Sequence, residues 1–240
     1  HYSSPSIISE LLVNALQVEF TEPVPEFKNT RVLSVTIRVF DPSDGTTNTD
    51  PTDEYYFSFV PQGEPDSWVL SSTATWQTPT ILDDTVLPGQ MQRTYVLKAK
   101  VIRQSEALEF PPASTLVTID EVPPITTAVQ PAGVYSPDPL SIFLHVDDFT
   151  PSTTYYTTNG DDPTQASTVY TDAGILITEL DTPVILKYFS VDSAGNIETP
   201  NWGAGENSAQ YTLDSIPPIV TIDGVTPSLL IVGTATEVVW

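Results

Sequence analysis

Acidic side chains supply most of the chemistry this chain of 240 residues can offer, with 31 Asp and Glu against 8 Lys and Arg. Hard cations take about six to eight oxygen ligands, so clustered carboxylates are the first feature to weigh. The densest group is Asp41, Asp44, Asp50, Asp53 and Glu54, all in the polar loop 41–54. Their spacing does not follow an EF-hand loop, so a solvated loop is the expected state, with a bound hard cation such as calcium as the alternative. Asp192-Ser193-Ala194-Gly195-Asn196 and Asn159-Gly160-Asp161-Asp162-Pro163 also carry oxygen ligands. Both read first as turns, because Asn-Gly tolerates positive φ and Asp accepts local backbone N–H groups. The pairs Asp83-Asp84 and Asp147-Asp148 are weaker candidates. Asp120 with Glu121, and Asp214, stand beside Pro123-Pro124 and Pro217-Pro218, where chain segments would join. Their carboxylates are expected to be exposed to solvent, with a shared calcium ion as the alternative.

Nucleophilic and acid–base catalysis find little support. His1 and His145 are the only histidines, and there is no cysteine, nucleophile elbow or phosphate loop. Glycoside hydrolysis needs two carboxylates flanking a cleft, and with so many acids no particular pair stands out. No enzymatic activity is expected. Trp68, Trp76, Trp202 and Trp240, with Tyr155 and Tyr156, could stack on sugar rings, but aromatic residues on strands usually fill cores. Trp202, in the loop Asn201–Gly205, is the candidate carbohydrate contact.

A formal net charge of −23 excludes a duplex nucleic-acid binder, since no basic surface is available to neutralise phosphates. No apolar run is long enough for a membrane span. With 23 Pro and 11 Gly, a helical bundle is disfavoured, and the lack of Cys rules out disulfides while suiting an extracellular protein without free thiols. The chain opens on His1, which reads as a processed or internal piece of something longer.

These residues must be positioned by strands. Thr118-Ile119-Asp120-Glu121-Val122-Pro123-Pro124-Ile125 recurs as Thr212-Leu213-Asp214-Ser215-Ile216-Pro217-Pro218-Ile219. The separation is the size of one immunoglobulin-like sandwich, and each copy reads as a strand end followed by a stiff joint. Tyr95–Val101 and Val184–Val191 echo each other one strand earlier. Leu33, Val35, Ile37 and Val39 alternate with Ser34, Thr36, Arg38 and Phe40, and Tyr95, Leu97, Ala99 and Val101 with residues including Lys98 and Lys100, so one face is expected to be wet. Further strands are expected at Tyr55–Val60, Trp68–Trp76, Leu140–Val146, Thr154–Thr158, Gly174–Ile177, Val184–Val191 and Ala209–Leu213. In Val184–Val191, Leu186 and Val191 are expected inside and Lys187 in water. The sequence therefore predicts an all-β chain of tandem immunoglobulin-like or fibronectin type III-like β-sandwiches. Its expected domains are 1–122, 123–215 and an incomplete third module at 216–240, completed either by a natural chain that continues past Trp240, the favoured outcome, or by strand addition between subunits. Ile7, Ile8, Leu11, Leu12, Ala15 and Leu16 fit either a helix or an extended arm.

Four stretches carry a family resemblance: Pro131–Tyr135, Tyr155–Thr164, Ser167–Tyr170 and Phe189–Asn196. From Pro131 to Asp214 the chain resembles the chitobiase/β-hexosaminidase C-terminal module, an immunoglobulin-like sandwich appended to bacterial secreted and surface proteins. Asn159 and Asp161 depart from the family pattern, which has Asp and Ser or Thr there, and the insertion Glu198–Asn207 is longer than usual. The resemblance implies no catalytic residue. The segment before it looks generically like a fibronectin type III or immunoglobulin domain, and Pro218–Trp240 looks like the start of another.

The function expected from these features is a structural or adhesive, non-catalytic part of an extracellular surface or filament-forming protein. Its expected partners are copies of itself or neighbouring surface proteins, with polysaccharide as a further candidate. Two alternatives stand beside it: a carbohydrate-binding accessory region of a secreted polysaccharide-degrading enzyme, and a virion tail or fibre component.

Overall fold

A computed structural model describes residues 16–78, 87 and 89–219. The expected arm or helix at 7–16 lies outside this range except for Leu16, which is buried in the first core. The third module lies outside it from residue 220 onward.

The first sandwich runs through β1 (Gln17–Phe20), β2 (Phe27–Lys28), β3 (Ser34–Phe40), β4 (Asp53–Pro61), β5 (Val69–Ser71), β6 (Thr75–Gln77), β7 (Gln92–Arg103), β8 (Leu108–Glu109) and β9 (Ala113–Asp120). One sheet has the order β1-β3-β6 and the other β2-β9-β7-β4-β5, with β8 paired to β7. The second sandwich uses β10 (Ile125–Ala128), β11 (Gly133–Tyr135), β12 (Leu140–Ile142), β13 (Leu144–Asp147), β14 (Ser152–Thr157), β15 (Thr168–Val169), β16 (Ile175–Ile177), β17 (Val184–Asp192) and β18 (Ser208–Leu213). Here β10 pairs with β13 and β12 with β16, while the opposing sheet has the order β11-β18-β17-β14-β15.

The two sandwiches repeat one topology. In each, the first strand is antiparallel in one sheet, and the chain then crosses to run parallel with the last strand of the other, as β2 with β9 and β11 with β18. Prolines mark both crossings, Pro23 and Pro25 in one and Pro131 in the other. They cannot donate to a ladder, so pairing ends there. The fold is all-β, in tandem immunoglobulin-like sandwiches, and its apolar residues gather into two separate cores.

Alternation sets the faces as expected. Leu33, Val35, Ile37 and Val39 on or beside β3, and Tyr95, Leu97, Ala99 and Val101 on β7, are all buried. Two expected strands are instead divided between sheets. Trp68–Trp76 splits into β5, which pairs with β4, and β6, which pairs with β3. The hydroxyls of Ser71 and Thr73 bind local backbone groups and turn the chain across. Leu140–Val146 breaks at Phe143, whose N–H leaves the ladder and donates to Gln130 Oε1 at 2.6 Å. The Phe143 ring lies over Gly174, where φ is +79° and a Cβ would come within 3.0 Å of that ring. Only glycine suits both the backbone and the contact.

On β17 strict alternation continues to the end, so Val184, Leu186, Tyr188, Ser190 and Asp192 are buried. Val191, expected inside, is only half-buried because the phase of the strand places it on the outer face. Lys187 shares that face, as expected. Phe189 lies there too, yet is buried by stacking on Tyr155 at 5.5 Å between centroids.

Candidate functional site at the joint between the sandwiches

The repeat places a carboxylate at the last residue of each final strand or just after it. Asp120 ends β9, and its Oδ1 accepts the N–H of Val122 at 3.0 Å, which turns the chain into Pro123-Pro124. Asp214 makes the same turn, accepting the N–H of Ile216 at 2.9 Å before Pro217-Pro218. Their environments then diverge. Asp214, Pro217 and Pro218 are exposed. Asp120 is 0% exposed, contrary to the expected solvation, and Pro124 is buried while Pro123 is exposed.

Asp120 is buried because the second sandwich closes over it. Its Oδ2 accepts the Thr150 hydroxyl at 3.0 Å, and its Oδ1 also receives the Gln92 amide at 3.3 Å. Thr150 sits in the turn between β13 and β14. The backbone oxygen of Asp120 accepts Asn196 Nδ2 at 2.8 Å, and the same nitrogen donates to Asp192 Oδ2 at 2.7 Å. Asp192 Oδ1 accepts the Asn196 N–H at 2.7 Å. Two turns of the second sandwich therefore grip the end of β9. The neighbouring acid faces the other way: Glu121 accepts both Arg31 Nε and Nη2 at 2.8 Å, which holds its carboxyl below the usual range.

Asp148 completes the group. Ligand oxygens of Asp120, Asp148 and Asp192 all lie within 4.8 Å of one another. Asp148 Oδ2 accepts the Ser152 hydroxyl at 2.7 Å, whereas its Oδ1 is buried and has no hydrogen-bond partner. Burial pushes the Asp148 carboxyl up, and the charges of Asp120 and Asp192 push it further, against hydrogen bonds from Ser152 and the backbone. Among the described residues, no Lys or Arg forms an ion pair with any of the three. A cavity of about 280 Å³ opens beside Asp148, lined also by Gln92, Val122, Pro123, Ile125, Asp147 and Phe149. Carboxylates gathered this closely form a hard-oxygen donor set of the kind divalent ions take.

The remaining candidates are not brought together. Asp41, Asp44 and Asp50 each cap their own turn, accepting the N–H and hydroxyl of Ser43, Thr46 and Thr52 respectively. The Thr46 and Thr52 contacts hold Asp44 and Asp50 below the usual carboxylate range. Asp53 instead forms a buried bidentate pair with Arg103, at 2.8 Å and 3.1 Å. Asp161 closes its turn onto Asn159, and Asp162 pairs with Lys187 at 2.7 Å. Trp202 opens a short 3-10 turn (Trp202–Ala204) and is half-buried, with Lys187 Nζ 5.4 Å from its ring centroid. That ammonium covers part of the ring a sugar would stack on, and the indole nitrogen is itself buried without a partner.

A larger cavity of about 830 Å³ lies against the joint, lined in part by Pro124, Thr126, Tyr188, Glu198 and Asn207. Glu198 is its one buried acid. It accepts Thr126 N–H and Oγ1, Ser190 N–H and Asn207 Nδ2, all within 2.9 Å. With its oxygens filled by these donors, Glu198 is a structural staple that ties the 198–207 insertion to β10 and β17.

Sequence reasoning singled out Asp120 and noted Asp148 and Asp192 separately, but not their convergence. Thr150, Glu198 and Arg103 were missed. Register comparison of the two repeats would have drawn attention to Arg103: it ends β7 opposite Asp53, the first residue of β4, as Asp192 ends β17 opposite Ser152, the first residue of β14.

The second sandwich is recognisable on independent grounds. Residues 130–201 match the family model of the chitobiase/beta-hexosaminidase C-terminal domain. No curated protein matches the chain. Among solved structures, the chain is similar to the fibronectin(III)-like modules of Clostridium thermocellum CbhA, with 15% identity, TM-score 0.36, and 82% of this chain and 94% of that one covered. It is also similar to the three N-terminal domains of the bacteriophage RB49 highly immunogenic outer capsid protein, with 15% identity, TM-score 0.39, and coverage of 82% and 70%. A tetra-tandem repeat from the extending region of a large adhesion protein aligns with 13% identity, TM-score 0.28, and coverage of 82% and 47%.

Proposed function

We propose that this chain is a non-catalytic structural segment of an extracellular surface or filament-forming protein, in which consecutive sandwiches are held as a stiff spacer. The division at 1–122, 123–215 and 216–240 belongs to this reading, as do partners drawn from copies of itself or neighbouring surface proteins. The observation that carries it is the joint, where Asp120 is buried and held by Thr150 and Asn196 from the following sandwich. A flexible tether leaves a linker solvated, whereas here the end of β9 is part of its neighbour's structure. The acidic surface adds mutual repulsion between neighbouring rods and so favours solubility.

The chain has no Cys, so spin labels can be placed singly at Glu64→Cys and Asp172→Cys, both exposed sites. A narrow distance distribution between them is expected, and Asn196→Ala should widen it. A broad distribution in the parent protein would sink the spacer reading.

A further inference from the structure

The two sandwiches treat the same position in opposite ways. At the end of β7, Arg103 faces Asp53 across the ladder and neutralises it within the protein, their side chains 5% and 1% exposed. At the matching end of β17 the chain places Asp192, which adds a negative charge beside Asp120 and Asp148. Asp120 and Asp192 are more than nine-tenths buried, and the Oδ1 of Asp148 is buried with no hydrogen-bond donor. Among the described residues, the side chains that hydrogen-bond the group are neutral donors: Thr150, Ser152, Gln92 and Asn196. Converging carboxylates, two buried and one half-buried, favour uptake of a proton or a cation, and no Lys or Arg of the described residues forms an ion pair with them.

We propose that Asp120, Asp148 and Asp192 bind one calcium ion that locks the joint between the sandwiches. The three carboxylates can each present an oxygen to one centre, and calcium takes such hard oxygen ligands in flexible geometry, whereas magnesium demands near-ideal octahedral geometry and gives up its waters reluctantly. The adjoining cavity of about 280 Å³ is lined by Asp148 and by Gln92, which hydrogen-bonds Asp120, so it offers water access on the Asp148 side of the group. Asn196 is a positioning residue: it holds Asp192 and the Asp120 carbonyl together and so couples ion binding to the direction of the chain. Because Asp120 comes from one sandwich and Asp148 and Asp192 from the other, the ion stabilises their docked arrangement. The inference rests on the joint being a fixed contact, as proposed above.

The test is calcium titration of the chelator-treated chain by calorimetry, with melting measured in calcium and in chelator. Binding of one ion and a rise in Tm are expected. Asp148→Asn and Asp192→Asn should each weaken binding more than about tenfold, and Asn196→Ala by about 10–100-fold. Asp50→Asn, in the loop of the first sandwich, should leave binding unchanged. Asp148→Asn also tests the site without relying on lost function. In chelator it should melt higher than the parent, because it removes one of three like charges, and in calcium it should gain less. No heat and no Tm shift on adding calcium would overturn the proposal, as would binding lost in Asp50→Asn but kept in Asp148→Asn. Distance distributions read stiffness separately, so a rigid joint that ignores calcium refutes the ion alone.

Discussion

Replacing Glu198 probes how the second sandwich holds its insertion. Its carboxylate is 7% exposed and faces only donors: Thr126 N–H at 2.7 Å, Asn207 Nδ2 at 2.8 Å, Thr126 Oγ1 at 2.7 Å and Ser190 N–H at 2.9 Å. In Glu198→Ala, the Thr126 hydroxyl keeps Ser190 Oγ at 2.6 Å, and Asn207 can reach water through the cavity beside it. The two backbone N–H groups lose their acceptor, at about 1–3 kcal/mol each. Water entering from the cavity relieves part of this, so a loss of about 2–4 kcal/mol is expected. Glu198→Gln sharpens the test, since it keeps the shape but turns one acceptor into a donor. With its amide nitrogen toward Thr126 Oγ1, that hydroxyl can rotate and accept, but Ser190 N–H is stranded, for about 1–3 kcal/mol. Urea unfolding followed by circular dichroism, with m unchanged, measures both variants. Glu198→Gln within about 0.5 kcal/mol of the parent would show that the carboxylate is not the acceptor for these amides.

Other perturbations follow from the same contacts. Leu186→Ala, at a fully buried position of β17, should cost about 2–5 kcal/mol in denaturant unfolding, and a loss below about 1 kcal/mol would mean the strand phase is wrong. Arg103→Ala should cost about 3–5 kcal/mol by stranding the buried Asp53 carboxylate, and Arg103→Met with Asp53→Leu should recover most of it. Burial pushes the Tyr211 phenol up to about 12, with Tyr188 and Tyr135 adding to the shift. The folded state then keeps a proton that the unfolded state releases from about pH 10, so this contribution is complete below pH 10 and is lost as pH rises toward 12. The slope is about 1.4 kcal/mol per pH unit, and Tyr211→Phe should flatten it in unfolding measured across that window.

Sequence alone was enough to establish the tandem β architecture. Side chains alternate along a strand with period two, so Leu33 to Val39 and Tyr95 to Val101 declare their buried face locally. Pro123-Pro124 marks where the first sandwich hands over to the second, because proline cannot donate to a ladder. Where a strand changes sheets was not legible. The breaks at Phe143 and between β5 and β6 depend on partners far away in the chain, including Gln130 and the space above Gly174. The functional site was hidden for the same reason. Asp120, Asp148 and Asp192 each sit in a local context that reads as an ordinary turn or strand end, and the exposure expected of Asp120 is what an isolated strand end would have. Only the docking of two turns from the second sandwich buries it and brings the three carboxylates within 4.8 Å. Local hydrogen bonding determines a turn, but the electrostatic environment of a carboxylate is set by whatever charge lies within a few ångströms, and that is a property of tertiary packing.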